Sequence, residues 1–195
     1  MTGATAKTKA SRAHNRLKAV LDAGAMLFAT KGYKATTMRD IASAAGMLPG
    51  SLYYHFASKQ DLLLAVYQQA VDEIRTRTEA AAAAEAEPWS RLEAAVVSHV
   101  ETILDESNYA KVMIGVVPLD APDIADELTA LRDGYERSFK TLIAALPLDS
   151  KTDKKLLRLT LIGAINASQL WYRPGRYSPA RIGREVVRML REPLG

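Results

Sequence analysis

The sequence predicts an all-α fold: a short N-terminal helix-turn-helix unit followed by a larger helical bundle. Three observations predict it. Apolar residues recur at steps of three and four along most of the 195 residues, the spacing that lines one face of a helix. No stretch alternates apolar and polar residues with the period of two that marks a half-buried strand. Glycine and proline fall between the periodic segments, where helices stop and start.

Taken in order, residues 1–13 are small, polar and basic without an apolar period, and are expected to form a flexible basic arm. From Asn15, a candidate cap, the positions Leu17, Val20, Leu21, Gly24, Leu27 and Phe28 form a stripe, so 15–31 reads as an amphipathic helix stopped by Gly32. Thr36 or Thr37 then caps a short helix beginning at Met38, Gly46 makes a turn, and a second short helix runs from about Pro49 to His55. Ser58 caps a long helix through Leu62, Leu63, Val66 and Tyr67 into an alanine-rich stretch toward Glu85, and Pro88 marks a boundary. Four further helices are expected at 88–106, 123–146, 150–173 and 178–191, with an irregular stretch around Gly115–Pro122. The segment 156–171 is apolar around most of its circumference and is expected to pack on two sides. The domain division follows as 1–13 arm, 14–60 helix-turn-helix domain and 61–195 helical domain.

Charge separates the chain more sharply than hydropathy does. Residues 1–60 hold nine lysines and arginines against Asp22 and Asp40, a net +7; the remainder holds seventeen basic and twenty acidic residues, a net −3. A polyanion is therefore expected on the first third of the molecule. The absence of cysteine excludes disulfides and thiolate metal sites, and His14, His55 and His99 lack ligand spacing, so no metal or cofactor is expected. No apolar run reaches the length needed to span a bilayer and no signal-peptide core is present at the N-terminus, which leads to the expectation of a cytoplasmic protein without a membrane partner.

The string from Thr36 through Gly46 and the Tyr53-Tyr54-His55-Phe56 run to Leu62, with Phe28 and Gly32-Tyr33 upstream, resembles the DNA-binding signature of TetR-type repressors. The physical reading stands beside the resemblance. Ile41, Ala42, Ala45, Leu52 and Phe56 are spaced to form a small core that holds two helices at a steep angle, and the second helix then projects Ser51, Tyr54 and His55 outward. A helix of that kind fits a major groove about 12 Å wide. Position by position, the resemblance implies that Thr37, Tyr54, His55 and Lys59 hold the DNA backbone while Leu48, Pro49, Gly50 and Ser51 approach base edges; Tyr53 is expected to be partly structural. Pro49 stands where many relatives have lysine, which removes one polar contact and shifts weight to apolar contact with thymine methyl groups. Lys7, Lys9, Arg12 and Arg16 are candidates for further phosphate or minor-groove contacts.

The C-terminal half of such proteins varies, and the resemblance implies a helical ligand pocket and a homodimer formed through the last two helices. The string Gly163 to Ile182 resembles the end of a subgroup that controls fatty-acid and sterol breakdown and responds to acyl-CoA thioesters. Polar residues on apolar helix faces, His99, Asn166 and Gln169, are the first candidates for contact with a small-molecule effector, with Arg173, Met113, Tyr135 and Phe139 added for charge, size or expected inward direction. The alternative for the polar three is that they satisfy one another or backbone groups, in the core or at the dimer interface. Trp171 and Tyr172 are expected in the core or an interface.

Two other functional classes compete. An enzyme is disfavoured because the chain has no glycine-rich phosphate loop, no nucleophile elbow and no carboxylates spaced for acid-base work. A nonspecific architectural DNA-binding protein shares the basic face but has no use for a sensing domain. The expectation is therefore a ligand-responsive DNA-binding transcription regulator, a repressor released from double-stranded operator DNA by a small molecule.

Overall fold

The computed structural model describes residues 3–105 and 107–192, with side chains from residue 15 onward. Nine α-helices are present among the described residues: α1 Gly3–Thr30, α2 Met38–Ala44, α3 Pro49–His55, α4 Lys59–Ala83, α5 Pro88–Ile103, α6 Asn108–Gly115, α7 Ala125–Ala144, α8 Lys154–Trp171 and α9 Pro179–Arg191. Single 3₁₀ turns at Pro118–Asp120 and Pro122–Ile124 join α6 to α7. The chain forms two compact units, one of Met1–Ala70 with Ser107–Thr129, the other of Val71–Glu106 with Ala130–Gly195.

Two boundaries differ from expectation at the N-terminus and in the middle. Helix α1 begins at Gly3, not at Asn15, so the segment expected as a flexible arm is helical backbone from Gly3 onward. Alanines at 4, 6, 10 and 13 with interspersed lysine and arginine give this segment high intrinsic helix propensity despite its lack of an apolar stripe. The side chains of Lys7, Lys9 and Arg12 lie outside the described residues. Helix α6 is additional to the expected helices, lying between the segment 88–106 and the irregular stretch around Gly115–Pro122. Ser107 starts it by accepting from the Ala110 amide at 3.2 Å, a cap visible in the sequence but followed by only eight helical residues.

In the first unit α1 packs against α2 and α6, and α2 against α3. Val20, Phe28, Ile41, Leu52, Leu62, Leu63 and Val66 form its core, all at most 3% exposed. Each such fully buried aliphatic side chain contributes roughly 1.5–3 kcal/mol. Phe28 meets Tyr33 edge to face at 5.5 Å between ring centres, which fixes the exit of the chain from α1. Of the segment 107–129, Tyr109 donates to Asp22 at 2.9 Å, Lys34 pairs with Asp120 at 3.1 Å, and Gln60 donates to Asp123 at 3.2 Å.

In the second unit α5 is the central element, packed by α8 and α9. The α5–α9 contact depends on Gly183, because a Cβ there would lie 2.8 Å from the Val97 Cα. Helix α8 buries Leu161, Ile162, Ile165 and Ser168 but leaves Leu156, Leu159, Leu170 and Trp171 between 47% and 77% exposed. Within one chain it therefore packs on one face only. Its remaining apolar face is open, and Trp171, expected in a core or interface, is exposed in the single chain.

Candidate nucleic-acid interface and effector core

The reading head is set by short-range chemistry. Thr37 caps α2, accepting from the Asp40 amide at 3.2 Å while Asp40 accepts from the Thr37 amide at 3.0 Å, a reciprocal capping box. Thr36, the alternative cap, is instead buried and donates to the Gly32 carbonyl at 2.8 Å. Lys31 pairs with Asp40 at 2.6 Å, and together with the cap this holds the carboxyl well below the usual range, at about 2. Gly46 turns the chain between α2 and α3 with φ of 65°, a conformation that costs any residue with a Cβ. Pro49 then occupies the first turn of α3, where a missing amide hydrogen is harmless.

Leu52 is fully buried beneath α3, with Ile41 and Ala42 from α2, so the expected helix-turn-helix core is present at these positions. Ala45 and Phe56, expected beside them, are only half-buried. Leu48, Pro49, Gly50, Ser51, Tyr54 and His55 are all exposed, as is Thr37. Tyr54 is 88% exposed and Leu48 77%, values that leave large groups in water. Tyr54 and His55 meet edge to face at 5.6 Å. Tyr53 is half-exposed, at 53%.

Lys59 is placed differently from expectation. Its ammonium donates to the carbonyls of Tyr33 at 2.9 Å, Thr36 at 3.0 Å and Lys34 at 3.4 Å, and sits 4.4 Å above the Tyr33 ring. An ammonium has three donors, and all three are engaged. Burial pulls its pKa below the ordinary lysine range and raises that of Tyr33. Lys59 thus ties the α1–α2 turn to the start of α4, and its position supports a structural role in place of the expected phosphate contact.

Four of the seven expected effector residues converge in the second unit. His99 on α5 is 2% exposed. Its Nε2 is 2.9 Å from Asn166 Oδ1 on α8, and its Nδ1 is 2.7 Å from the Tyr135 hydroxyl on α7. The Tyr135 oxygen is also 3.3 Å from the Thr78 hydroxyl on α4. With Asn166 Oδ1 accepting, Nε2 carries the proton, Tyr135 donates to Nδ1, and Thr78 donates to Tyr135, so the chain of bonds has one direction and a neutral imidazole. Phe139 closes the cluster, its ring edge to face with His99 at 5.8 Å and with Tyr135 at 5.7 Å. Desolvation lowers the His99 pKa to about 4 and raises that of Tyr135.

The other three do not join it. Met113 is half-buried on α6, in the first unit. Gln169 is half-buried on α8 and is not part of the bonded chain. Arg173 lies past the end of α8, exposed, and donates to the Tyr172 carbonyl at 2.7 Å. Thr78, a member of the bonded chain, was not anticipated: a threonine inside an alanine-rich helix carries no local sign of a partner fifty-seven residues away.

Among the described residues no group of three or more His, Cys, Asp or Glu could hold a metal ion, and no helix is long and apolar enough to cross a membrane.

Comparison with known proteins gives a consistent result. Residues 20–66 match the family described as "Bacterial regulatory proteins, tetR family", and residues 85–194 match "Tetracyclin repressor-like, C-terminal domain". The HTH-type transcriptional repressor KstR2 of Rhodococcus jostii is 32% identical over 163 residues, covering 80% of this chain and 79% of that protein. KstR2 of Mycobacterium tuberculosis strain H37Rv is 36% identical over 105 residues, 54% of this chain and about half, 52%, of its own length. Among solved structures, AibR in complex with isovaleryl coenzyme A and operator DNA superposes with a TM-score of 0.75 at 22% identity, covering 89% of this chain and 97% of that one. That likeness establishes the fold.

Proposed function

Because the chain belongs to the TetR family of bacterial regulatory proteins, we propose that it is a ligand-responsive transcription regulator, not an enzyme. In this reading it is a repressor that binds double-stranded operator DNA as a homodimer and releases it when a small molecule binds. The observation that carries the reading is the exposed surface of α3, where Leu48, Pro49, Gly50, Ser51, Tyr54 and His55 stand in solvent on a scaffold fixed by a capping box and a buried Leu52.

Thr37, Tyr54 and His55 supply hydroxyl and imidazole donors for phosphates, which set register, and the N-terminal residues of α3 face base edges. Lys59 serves from behind by holding the turn. Homodimerisation through α8 and α9 is supported by the open apolar face of Leu156, Leu159, Leu170 and Trp171 on α8 and by Met189, 53% exposed, on α9. A dimer places two reading heads about 34–36 Å apart, or a multiple of it, to meet two half-sites. An effector that prefers a different spacing lowers operator affinity by its differential affinity for the two states. The effector core is the His99–Tyr135–Asn166 cluster, and an acyl-CoA thioester is the proposed effector, supported by the resemblance to regulators of fatty-acid and sterol breakdown and by the ligand in the AibR complex. A cytoplasmic location follows from operator binding.

The test is fluorescence anisotropy with DNA from the intergenic region beside its own gene against a shuffled duplex, at about 150 mM salt where nonspecific attraction is screened. A preference on the order of a thousandfold is expected. Equal binding to both duplexes would favour an architectural role and discredit the repressor reading.

A further inference from the structure

Helix α7 serves two sides. One carries Tyr135 and Phe139 into the core, while the neighbouring side lines a cleft of about 510 Å³ whose opposite wall is α8. Four cations, Arg132, Arg137, Lys140 and Arg158, face the cleft against two carboxylates, Asp133 and Glu136. Arg158 is paired with Glu136, each 18% exposed. Arg132, Arg137 and Lys140 have no carboxylate within ion-pair distance among the described residues. Elsewhere in the same unit Arg75, Arg77 and Arg188 each hold a carboxylate three or four residues away. The three α7 cations therefore outnumber the one carboxylate left to face them in the cleft, Asp133. Arg137 and Lys140, one turn apart, repel each other.

Asn166 forms the inner wall of the cleft. Its oxygen accepts from His99, and its amide nitrogen has no hydrogen-bond partner among the described residues. Asp133 is the cleft carboxylate left without an ion-pair partner among the described residues; against it stand two guanidiniums, an ammonium and an amide N–H, so the free groups are mostly donors and carry a net positive charge. Such a set fits oxyanions, and guanidinium forks match phosphate oxygens two at a time. Arg132 and Lys140 are eight residues apart, about 12 Å along a helix at 1.5 Å per residue, which is too wide for one phosphate and suits two or more.

We propose that this α7–α8 cleft binds a small molecule bearing at least two phosphate groups, the phosphorylated end of the effector. An oxyanion on the Asn166 amide nitrogen keeps Oδ1 turned to His99, holds the proton on Nε2 and keeps Nδ1 as the acceptor for Tyr135. The proposal rests on the regulatory reading for what the ligand does, and on the cleft residues alone for the fact that it binds.

Isothermal titration of the full chain with pyrophosphate and with adenosine 3′,5′-bisphosphate tests it. Binding that weakens as salt rises is expected. The triple variant Arg132→Gln, Arg137→Gln, Lys140→Gln alters exposed side chains and should weaken binding at least about tenfold, as should Asn166→Asp, which sets a carboxylate in the cleft. The control Lys151→Gln, Lys155→Gln, exposed positions outside the cleft, should bind as the unaltered chain does. Absence of binding of either probe, or equal binding by the triple variant, overturns the site. Operator anisotropy on the same samples separates the two claims: phosphate binding without operator preference leaves the cleft standing and removes the repressor. Operator preference without phosphate binding does the reverse.

Discussion

The helix-turn-helix and the buried His99 cluster use opposite means to place their side chains. In the first unit the expected contacts other than Lys59 fall within residues 37–55, on a segment shaped by neighbours: a cap three residues away, a glycine turn, a proline in the first helical turn. In the second, Thr78, His99, Tyr135 and Asn166 come from four helices and are joined by bonds spanning 57, 36 and 67 residues. The first arrangement leaves its groups in water, ready for a charged polymer. The second buries Thr78, His99 and Tyr135, which are tolerated there because each is hydrogen-bonded to the next, with the half-buried Asn166 oxygen closing the line. Local structure is suited to a surface that must be presented whole, and long-range structure to an interior in which one change is felt by several helices.

The contrast can be pressed hardest at Phe139, fully buried against both rings of the core. Phe139→Ala should cost about 3–5 kcal/mol, read from denaturant unfolding. A loss below about 1 kcal/mol would mean that the His99 cluster is not built on packing, since that is the scale of an ordinary substitution.

Acid should act next, through His99. Its folded pKa of about 4 lies below the ordinary 6.5, so the unfolded chain binds the extra proton between these values. The stabilisation from keeping the ring neutral is complete above about pH 6.5 and is lost as pH falls toward 4, in total on the order of 3 kcal/mol. Thermal melts across that range should show the loss, and His99→Gln should flatten it; an unchanged slope in the variant would place the acid sensitivity elsewhere.

At the reading head the same scale of effect should appear in binding and not in folding. Tyr54→Ala with His55→Ala removes exposed groups, so stability should move by less than about 0.5 kcal/mol. Operator affinity should fall by roughly ten- to a hundredfold. Unaltered affinity with an intact dimer would show that another face reads the DNA.

The smallest effect distinguishes a cap from a contact. Thr37→Ala should lower stability by about 1 kcal/mol through loss of the α2 cap. Thr37→Ser keeps the cap oxygen and should restore that stability, as circular dichroism melts would show. Failure of serine to rescue would mean that the methyl group, not the cap, carries the effect.

The legibility of the molecule follows the same division. The capping signal at Thr37, the turn at Gly46 and the buried spacing of Ile41, Ala42 and Leu52 were readable because each is a relation between residues a few positions apart. His99 and Asn166 could be singled out as polar groups on apolar faces. Thr78 and the pairing of all four could not, since nothing local specifies a partner on another helix. Lys59 shows the converse: a charge beside a DNA-binding motif reads as a phosphate contact, and the three carbonyls that enclose it are visible only once the chain is folded.

By itself, then, the sequence determined the helical class, the helix-turn-helix, the family, and the polarity of a chain whose basic excess lies in its first third, because helix periodicity, capping and charge are written in short windows or simple sums. Only the tertiary structure decided which face of α8 is covered, where Lys59 points, and that four helices share one directed line of hydrogen bonds around His99. Those outcomes depend on which side chains meet after distant segments pack, and burial is what makes each polar group there require a partner.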